Sequence, residues 1–320
     1  MRYLNAHDIL GLTAPETLIA ALEQGLQDFA HGRVHVPVRA HVDFGDNTLL
    51  TMPVISPEAF GVKVVSVVPS NASRNLATIH GLMTLSDGMT GVPLAILDAA
   101  AVTSQRTGAI GALGLKYTTP PSTDRIGIVG TGVQALWQAF FACAVRPIRT
   151  VYFLARSDEA AQHFKARVEP LIPAVRLVRC HSVQELLQAT SVVITATTSS
   201  TPVLPEDPAR LANKHFVSIG SFKPSMQELP DAVYRLAGHA VVDSDAARHE
   251  VGDLIKPLSA GLIQAQNVLH LADLVTGRRT VDTAKTTVVK SVGMALYDLY
   301  AARAFVAEAQ RLNRGTQLNP

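Results

Sequence analysis

Cysteine is nearly missing from this chain. Cys143 and Cys180 are the two among 320 residues, and their spacing is not that of metal ligands. This excludes a disulfide framework, fits a reducing compartment and leaves both thiols to be read as small buried hydrophobes. Charged residues are sparse and balanced, at 17% with a net charge of +2, so there is no electrostatic basis for a nucleic-acid or membrane-surface partner. No stretch reaches the roughly 18 uninterrupted apolar residues of a membrane span. No basic segment followed by an apolar one opens the chain, and no internal repeat occurs. These absences leave a cytoplasmic protein whose partner is a small molecule.

What the chain has in quantity is apolar residues, 48% of the total. Over this length they suffice for two cores, since single cores stop growing near roughly 250–300 residues. Residues 14–31 carry Leu18, Ile19, Leu22, Leu26 and Phe29 at helical spacing, with Pro15 suited to the first turn. The period then changes to two. In VHVPVRAHV (34–42) valines and Ala40 alternate with His35, Pro37, Arg39 and His41, which predicts a strand, with Pro37 confining it to an edge. The two histidines lie near no carboxylate but Asp43 and do not make a metal site. Strands follow at 49–55 and 60–69, then a hairpin, IHGLMTL and VPLAILD, and a helix rich in small residues at 100–117. Neighbouring strands of this kind predict an α+β unit.

From Arg125 the rhythm becomes strand, helix, strand through IGIVG, TVYFLA, VRLVRC, VVITATT, HFVSIGS and HAVVDS. Such alternation predicts a doubly wound parallel sheet. The chain closes with TTVVKSVGMALYDLYAARAFVAEAQ, a strand leading into a long helix with Val292, Leu296, Leu299 and Ala302 on one face, expected to pack on the first unit. PPSTD (120–124) reads as a linker. The predicted domains are therefore 1–118 with 293–320, and 119–292.

In IGIVGTGVQA, Gly130 permits a tight turn, Gly132 lets the backbone approach a pyrophosphate, and Ala135 stands where helix and strand pack closely. The free N–H groups and dipole of the following helix face the phosphates. An NAD-preferring fold ends its second strand on an acid that binds the ribose 2′-hydroxyl; this chain reads Ala155-Arg156-Ser157. Arg156 and Ser157 suit a 2′-phosphate, so NADPH is favoured and NADH left open, with Asp158 as the alternative ribose ligand.

Three cations stand out in the first part: Arg39, Lys63 within GVKVVSV, and Arg106 within TSQRTGA. A lysine among valines is costly to bury without an anionic partner, although a structural lysine reaching its head to solvent is an equal reading of Lys63 taken alone. Together the three suggest a carboxylate pocket.

The ordered motifs VPVR, GVKVVSV, TIHGLMTLSDGMTGVPLAILD, TSQRTGA, GTGVQA and VVKSVGMALYDL resemble those of the ornithine cyclodeaminase/mu-crystallin family along nearly the whole chain. The resemblance implies a Rossmann domain inserted into an α+β substrate and dimerisation domain, and a homodimer. It places the substrate carboxylate near Arg39, Lys63 and Arg106, with Thr78 and His80 beside the nicotinamide, though a structural role for the His80 imidazole stays open. It places Gly130, Thr131, Gly132, Val133, Gln134, Arg156, Ser157, Thr197, Thr198 and Ile219 around the dinucleotide, with Ser291 and Val292 closing over it.

Within the family, true cyclodeaminases carry GDCPGK-like sequence where this chain reads IGSFKPSMQEL (219–229). Aligned on Pro224 and Glu228-Leu229, the cyclodeaminase Asp falls on Phe222. An apolar ring cannot move a proton, so Phe222 fits beside an apolar ring substrate. The resemblance then implies reduction of a small cyclic imino acid, Δ1-pyrroline-2-carboxylate or Δ1-piperideine-2-carboxylate, with NADPH favoured by Arg156; charge and burial, rather than the resemblance, point to Lys63 or a held water as proton donor. The alternatives are an ornithine or lysine cyclodeaminase, an alanine or opine-type dehydrogenase, and a non-catalytic NADPH-dependent binding protein.

Overall fold

The computed structural model describes residues 1–319. The chain divides into two compact units, Met1–Arg106 with Met294–Pro320, and Thr107–Gly293. The division falls inside a helix, whereas the boundary expected from the sequence lies at 118/119, after that helix; the expected 293–320 segment ends on Pro320, outside the described residues.

In the first unit one sheet contains β1 (Arg2–Leu4), β2 (Ala40–Phe44), β3 (Asn47–Ile55), β4 (Ala59–Val67), β5 (Ile79–Asp87), β6 (Pro93–Asp98) and β15 (Thr316–Gln317). Its order is β15-β1-β6-β5-β4-β3-β2. From β2 to β6 each strand pairs antiparallel with the next, and β1 joins β6 in parallel. The helices are α1 (Ala6–Ile9), α2 (Pro15–Ala30), α12 (Ala295–Arg311) and the first part of α3 (Ala99–Thr118). Helix α2 begins on Pro15, whose missing N–H costs nothing there, and buries Leu18, Ile19, Leu22 and Leu26.

Helix α12 packs on α2 and on β3, β4 and β5. Met52, Val65, Met83 and Leu85 are buried, whereas Val42, Phe44, Leu49, Ile55, Val64 and Leu82 are exposed; strand alternation places these two groups on opposite faces.

Two expectations are corrected. The strand expected at 34–42 is regular only over Ala40–Phe44, with a single bridge between His35 and Ile55 before it, because Pro37 has no N–H to continue the ladder. As expected, β2 is an edge. Val292 does not belong to the last helix, whose N-cap is Met294, so the apolar face starts at Leu296.

The second unit holds β7 (Arg125–Val129), β8 (Thr150–Leu154), β9 (Arg176–Cys180), β10 (Val192–Thr195), β11 (His215–Ser218), β12 (Ala240–Val242), β13 (Val268–His270) and β14 (Thr287–Lys290). They form one sheet in the order β13-β12-β14-β11-β10-β7-β8-β9, parallel at every pair. The order reverses between β7 and β10, the switch point at which doubly wound sheets open a crevice.

Its helices are the second part of α3, α4 (Val133–Val145), α5 (Asp158–Val168), α6 (Val183–Ala189), α7 (Pro208–Leu211), α8 (Asp231–Ala237), α9 (Ala247–Glu250), α10 (Gly252–Ser259) and α11 (Leu271–Val275). The small residues of α3 have a packing reason: a Cβ on Gly111 would stand 1.8 Å from Oε1 of Gln138 on α4. The core gathers Phe216, Val233, Tyr234, Val242 and Val288. Among the described residues no helix is long and apolar enough to cross a membrane.

Candidate functional site

Two clusters of site residues emerge, one in each unit. In the first, β4 directs Lys63 to the buried face of its sheet, between Met52 on β3 and Met83 on β5. Lys63 is 2% exposed and Arg106, on α3, is 6% exposed. Both meet the fully buried Asp298 of α12. Lys63 Nζ lies 2.7 Å from Oδ2 and Arg106 Nε donates to Oδ1 at 3.0 Å. The lysine contact is a buried ion pair. Lys63 also reaches the Thr103 hydroxyl at 3.4 Å.

Burial drives the Lys63 ammonium down to about 8; Asp298 pulls it up, while Arg106 and Arg39 push it down. Arg39, half-buried just before β2, thus acts electrostatically on the same site. Two buried cations sharing one carboxylate leave a positive charge that favours a further anion. The structure does not bring Thr78 and His80 into this cluster within one chain. Both are exposed, and His80, paired with Ser66, lies on the face opposite Lys63.

In the second unit a cleft of about 810 Å³ opens at the switch point, lined by Gly130, Thr131, Gly132, Ala155, Arg156, Thr197 and Thr198 among others. Gly130 has φ +112°, and a Cβ there would meet the Ala196 carbonyl at 2.6 Å. Gly132 is the N-cap of α4 and supplies no side-chain cap; a Cβ on it would project into open space. A helix start without a side-chain cap, facing this cleft, fits a bound pyrophosphate.

At the end of β8, Arg156 is exposed. Ser157 caps α5, its hydroxyl accepting from the Ala160 N–H at 3.1 Å. Asp158 is hydrogen-bonded by Arg179, which holds its carboxyl below the usual range. Asp158, the first acid after β8, is therefore already engaged by a cation. Val133 and Gln134 open α4, and the Gln134 Oε1 is buried without a protein partner. Ile219 follows β11, its N–H bonded to the Thr195 carbonyl at 2.9 Å.

Sequence reading missed four acidic or basic residues that organise these elements. Asp298 is one. Asp243 accepts from the Ser291 hydroxyl at 2.6 Å and from the N–H groups of Val292 and Gly293 at 3.2 and 2.7 Å, anchoring the segment expected to close over the cofactor. Glu228 accepts from Thr197 N–H and hydroxyl at 2.7 and 2.8 Å, from Gly220 N–H at 2.7 Å and from Ser221 N–H at 3.2 Å. It clips the loop after β10 to the loop after β11. Lys290 donates to the Ser221 carbonyl at 2.8 Å and lies 4.0 Å from Asp253.

Phe222 belongs to the loop after β11, is 48% exposed, and lies under the Lys223 ammonium, 5.8 Å from the ring centroid. The sequence signal that could have found Asp298 is an acid inside an apolar helical run, ALYDLY, the counterpart of the lysine inside GVKVVSV. Burial raises both thiols to about 11, so neither cysteine is a nucleophile at neutral pH. Among the described residues no group of three or more His, Cys, Asp or Glu is placed to hold a metal.

Comparison with known proteins gives concordant matches. The model of the "Ornithine cyclodeaminase/mu-crystallin family" matches residues 2–312. A Delta(1)-pyrroline-2-carboxylate reductase of Bacillus thuringiensis is 34% identical, covering 99% of each chain. The ketimine reductase mu-crystallin of Mus musculus is 31% identical over 94% of this chain and 95% of its own. Among solved structures, the Thermococcus litoralis Delta(1)-pyrroline-2-carboxylate reductase, in complex with NADH and L-proline, superposes with a TM-score of 0.92 at 28% identity, covering 99% of this chain and 100% of that one.

Proposed function

Because the chain belongs to the ornithine cyclodeaminase/mu-crystallin family, we propose that it is an NAD(P)H-dependent imine reductase. Its substrates are the cyclic ketimine carboxylates Δ1-pyrroline-2-carboxylate and Δ1-piperideine-2-carboxylate, reduced to L-proline and L-pipecolate. The observation that carries this reading is the buried sharing of Asp298 by Lys63 and Arg106. Two cations set against one carboxylate leave a charge that a substrate carboxylate would balance.

Arg106 and Arg39 bind that carboxylate, the guanidinium fork matching its two oxygens. When bound, the reduced nicotinamide supplies the hydride that C2 of the ring receives. The electron pair of the C=N bond moves to nitrogen, and Lys63 supplies the proton that nitrogen gains. With its ammonium lowered to about 8, Lys63 is charged at neutral pH yet gives up its proton readily. Gly130, Thr131, Gly132 and the start of α4 hold the dinucleotide, aided by Thr197 and Thr198. Arg156 takes the 2′-phosphate, which makes NADPH the preferred cofactor. Support for that choice is this chain's own β8 end, since the T. litoralis neighbour carries NADH.

Phe222 offers no proton-transfer group, which disfavours ring closure with loss of ammonia. The protein acts as a homodimer through the apolar sheet face that carries Val42, Phe44, Leu49, Val64 and Leu82, because monomers rarely leave so contiguous a patch exposed; light scattering giving one chain's mass would reject this.

The deciding assay follows NADPH oxidation with both cyclic imines, with pyruvate plus ammonia, and with ornithine or lysine while ammonia is measured. Turnover confined to the cyclic imines is expected. Ammonia release without net NADPH oxidation would make the protein a cyclodeaminase. Turnover only with open 2-oxo acid and amine would make it an amino-acid dehydrogenase. Binding without turnover would make it a binding protein.

A further inference from the structure

We infer that Asp298 is a positioning residue that divides the work between the two cations it holds, committing Arg106 to the substrate carboxylate and Lys63 to the imine nitrogen. This rests on the reductase reading above. The two cations come from different elements, Lys63 from β4 and Arg106 from α3, and α12 supplies the carboxylate that joins them. Each carboxylate oxygen takes one cation: Oδ1 receives Arg106 Nε at 3.0 Å and Oδ2 faces Lys63 Nζ at 2.7 Å. A carboxylate used on both oxygens cannot rotate without releasing one partner. Because Arg106 meets Asp298 through Nε, we assign its two Nη groups to the substrate carboxylate, a pair suited to bidentate recognition.

Lys63 is fixed by the same carboxylate and by Thr103. The groups that face it are Asp298 from α12, Arg106 and Thr103 from α3, and the charge of Arg39 from the segment before β2; its paired neighbours on β3 and β5 are Met52 and Met83. Asp298 is the anion among them. Its influence opposes burial and the two arginines, so without it Lys63 would shed its proton at lower pH and be a poorer acid at neutral pH.

The test is Asp298→Asn, which keeps the shape and removes the charge. kcat/KM for the cyclic imine is measured across pH for the variant and the wild type, and the ratio is taken at each pH so that ionisation of the substrate cancels. The alkaline limb is expected to move toward acid by about one to three pH units, so the ratio falls by roughly sixfold to twentyfold between about pH 6.5 and 8.5. A residue that only held the fold would lower the ratio by the same factor at every pH, and a flat ratio overturns the inference. Should the Asn variant fail to fold, Asp298→Ser carries the same measurement. A wild type inactive on both imines instead defeats the reductase reading and with it the division of roles; an active wild type with a flat ratio defeats the role of Asp298 alone.

Discussion

Replacing Arg156 by Ala tests the cofactor assignment with little else disturbed. The side chain is exposed and lines the dinucleotide cleft, and its guanidinium forms no ion pair among the described residues, so folding stability should change by no more than about 0.5 kcal/mol. A 2′-phosphate dianion held near it in water-like dielectric gains roughly 1 kcal/mol per charge at about 4 Å. A charge-assisted hydrogen bond adds about 1 kcal/mol, and ordering the exposed side chain removes about as much. The net is about 2 kcal/mol, or roughly a thirtyfold rise in KM for NADPH, with KM for NADH unchanged. The effect should shrink as salt is raised, because the site is open to screening ions, and Arg156→Lys should fall between, keeping the charge and losing the fork. Initial rates with both cofactors at two ionic strengths measure all of this. Equal losses for NADPH and NADH, or none for either, would refute the 2′-phosphate role. Asp158→Asn gives the complementary check: with its carboxylate engaged by Arg179, its removal should leave KM for NADH nearly unchanged, and a large rise would make Asp158 the ribose ligand.

Lys63→Met should lower kcat by roughly 10²- to 10⁴-fold if Lys63 is the general acid; unchanged kcat and KM for the cyclic imine would exclude both of its proposed roles. His215 is buried, bonded through Nδ1 to Thr287 at 2.9 Å, and burial pushes it from 6.5 down to about 4. Because the unfolded chain then takes up its proton first, the stability His215 contributes is fully present above about pH 6.5 and is lost as pH falls toward 4, by up to about 3 kcal/mol. Urea melts at pH 5 and 7 should show that acid-side loss reduced in His215→Gln, and an unaltered difference would count against it. In Gly220→Ala the new Cβ would stand 1.9 Å from the Thr197 carbonyl oxygen and 2.3 Å from its nitrogen. Prising apart the two loops that Glu228 clips should cost about 1–3 kcal/mol and raise KM for the dinucleotide, and wild-type values for both would reject the clip.

Much of the fold was legible because local pattern and topology agree. The parallel sheet followed from strand-helix alternation, and its observed order places the phosphate turn at the switch point. What failed were elements whose existence depends on distant chain. Strand β1 is three residues long and exists because β6 and β15 flank it; no period can be read from so short a piece. The stretch from Val36 to Arg39 alternates as a strand should, yet it lies at the sheet edge, where one proline is enough to end the ladder. The extent of β2 was set by its pairing with β3, which alternation alone does not encode.

The site was legible in its cations and hidden in its anions. GVKVVSV and VVKSV present the same signal, a lysine among valines, and both lysines are buried. Their partners differ, and those partners are far along the chain: Asp298 stands 192 residues from Arg106. Around Lys290 the acids outnumber the cation, with Asp253, Glu228 and Asp243 all pulling its ammonium upward and carbonyl oxygens receiving its protons. That lysine is closed to any further anion, and its work is to pin the loop after β11. Around Lys63 one carboxylate serves two buried cations, Lys63 and Arg106, with Arg39 adding to the push against the ammonium, so a further anion would be favoured there. On the proposed reading, the ratio of buried charges, more than the identity of the lysine, is what separates a structural ammonium from one suited to bind a carboxylate and release a proton.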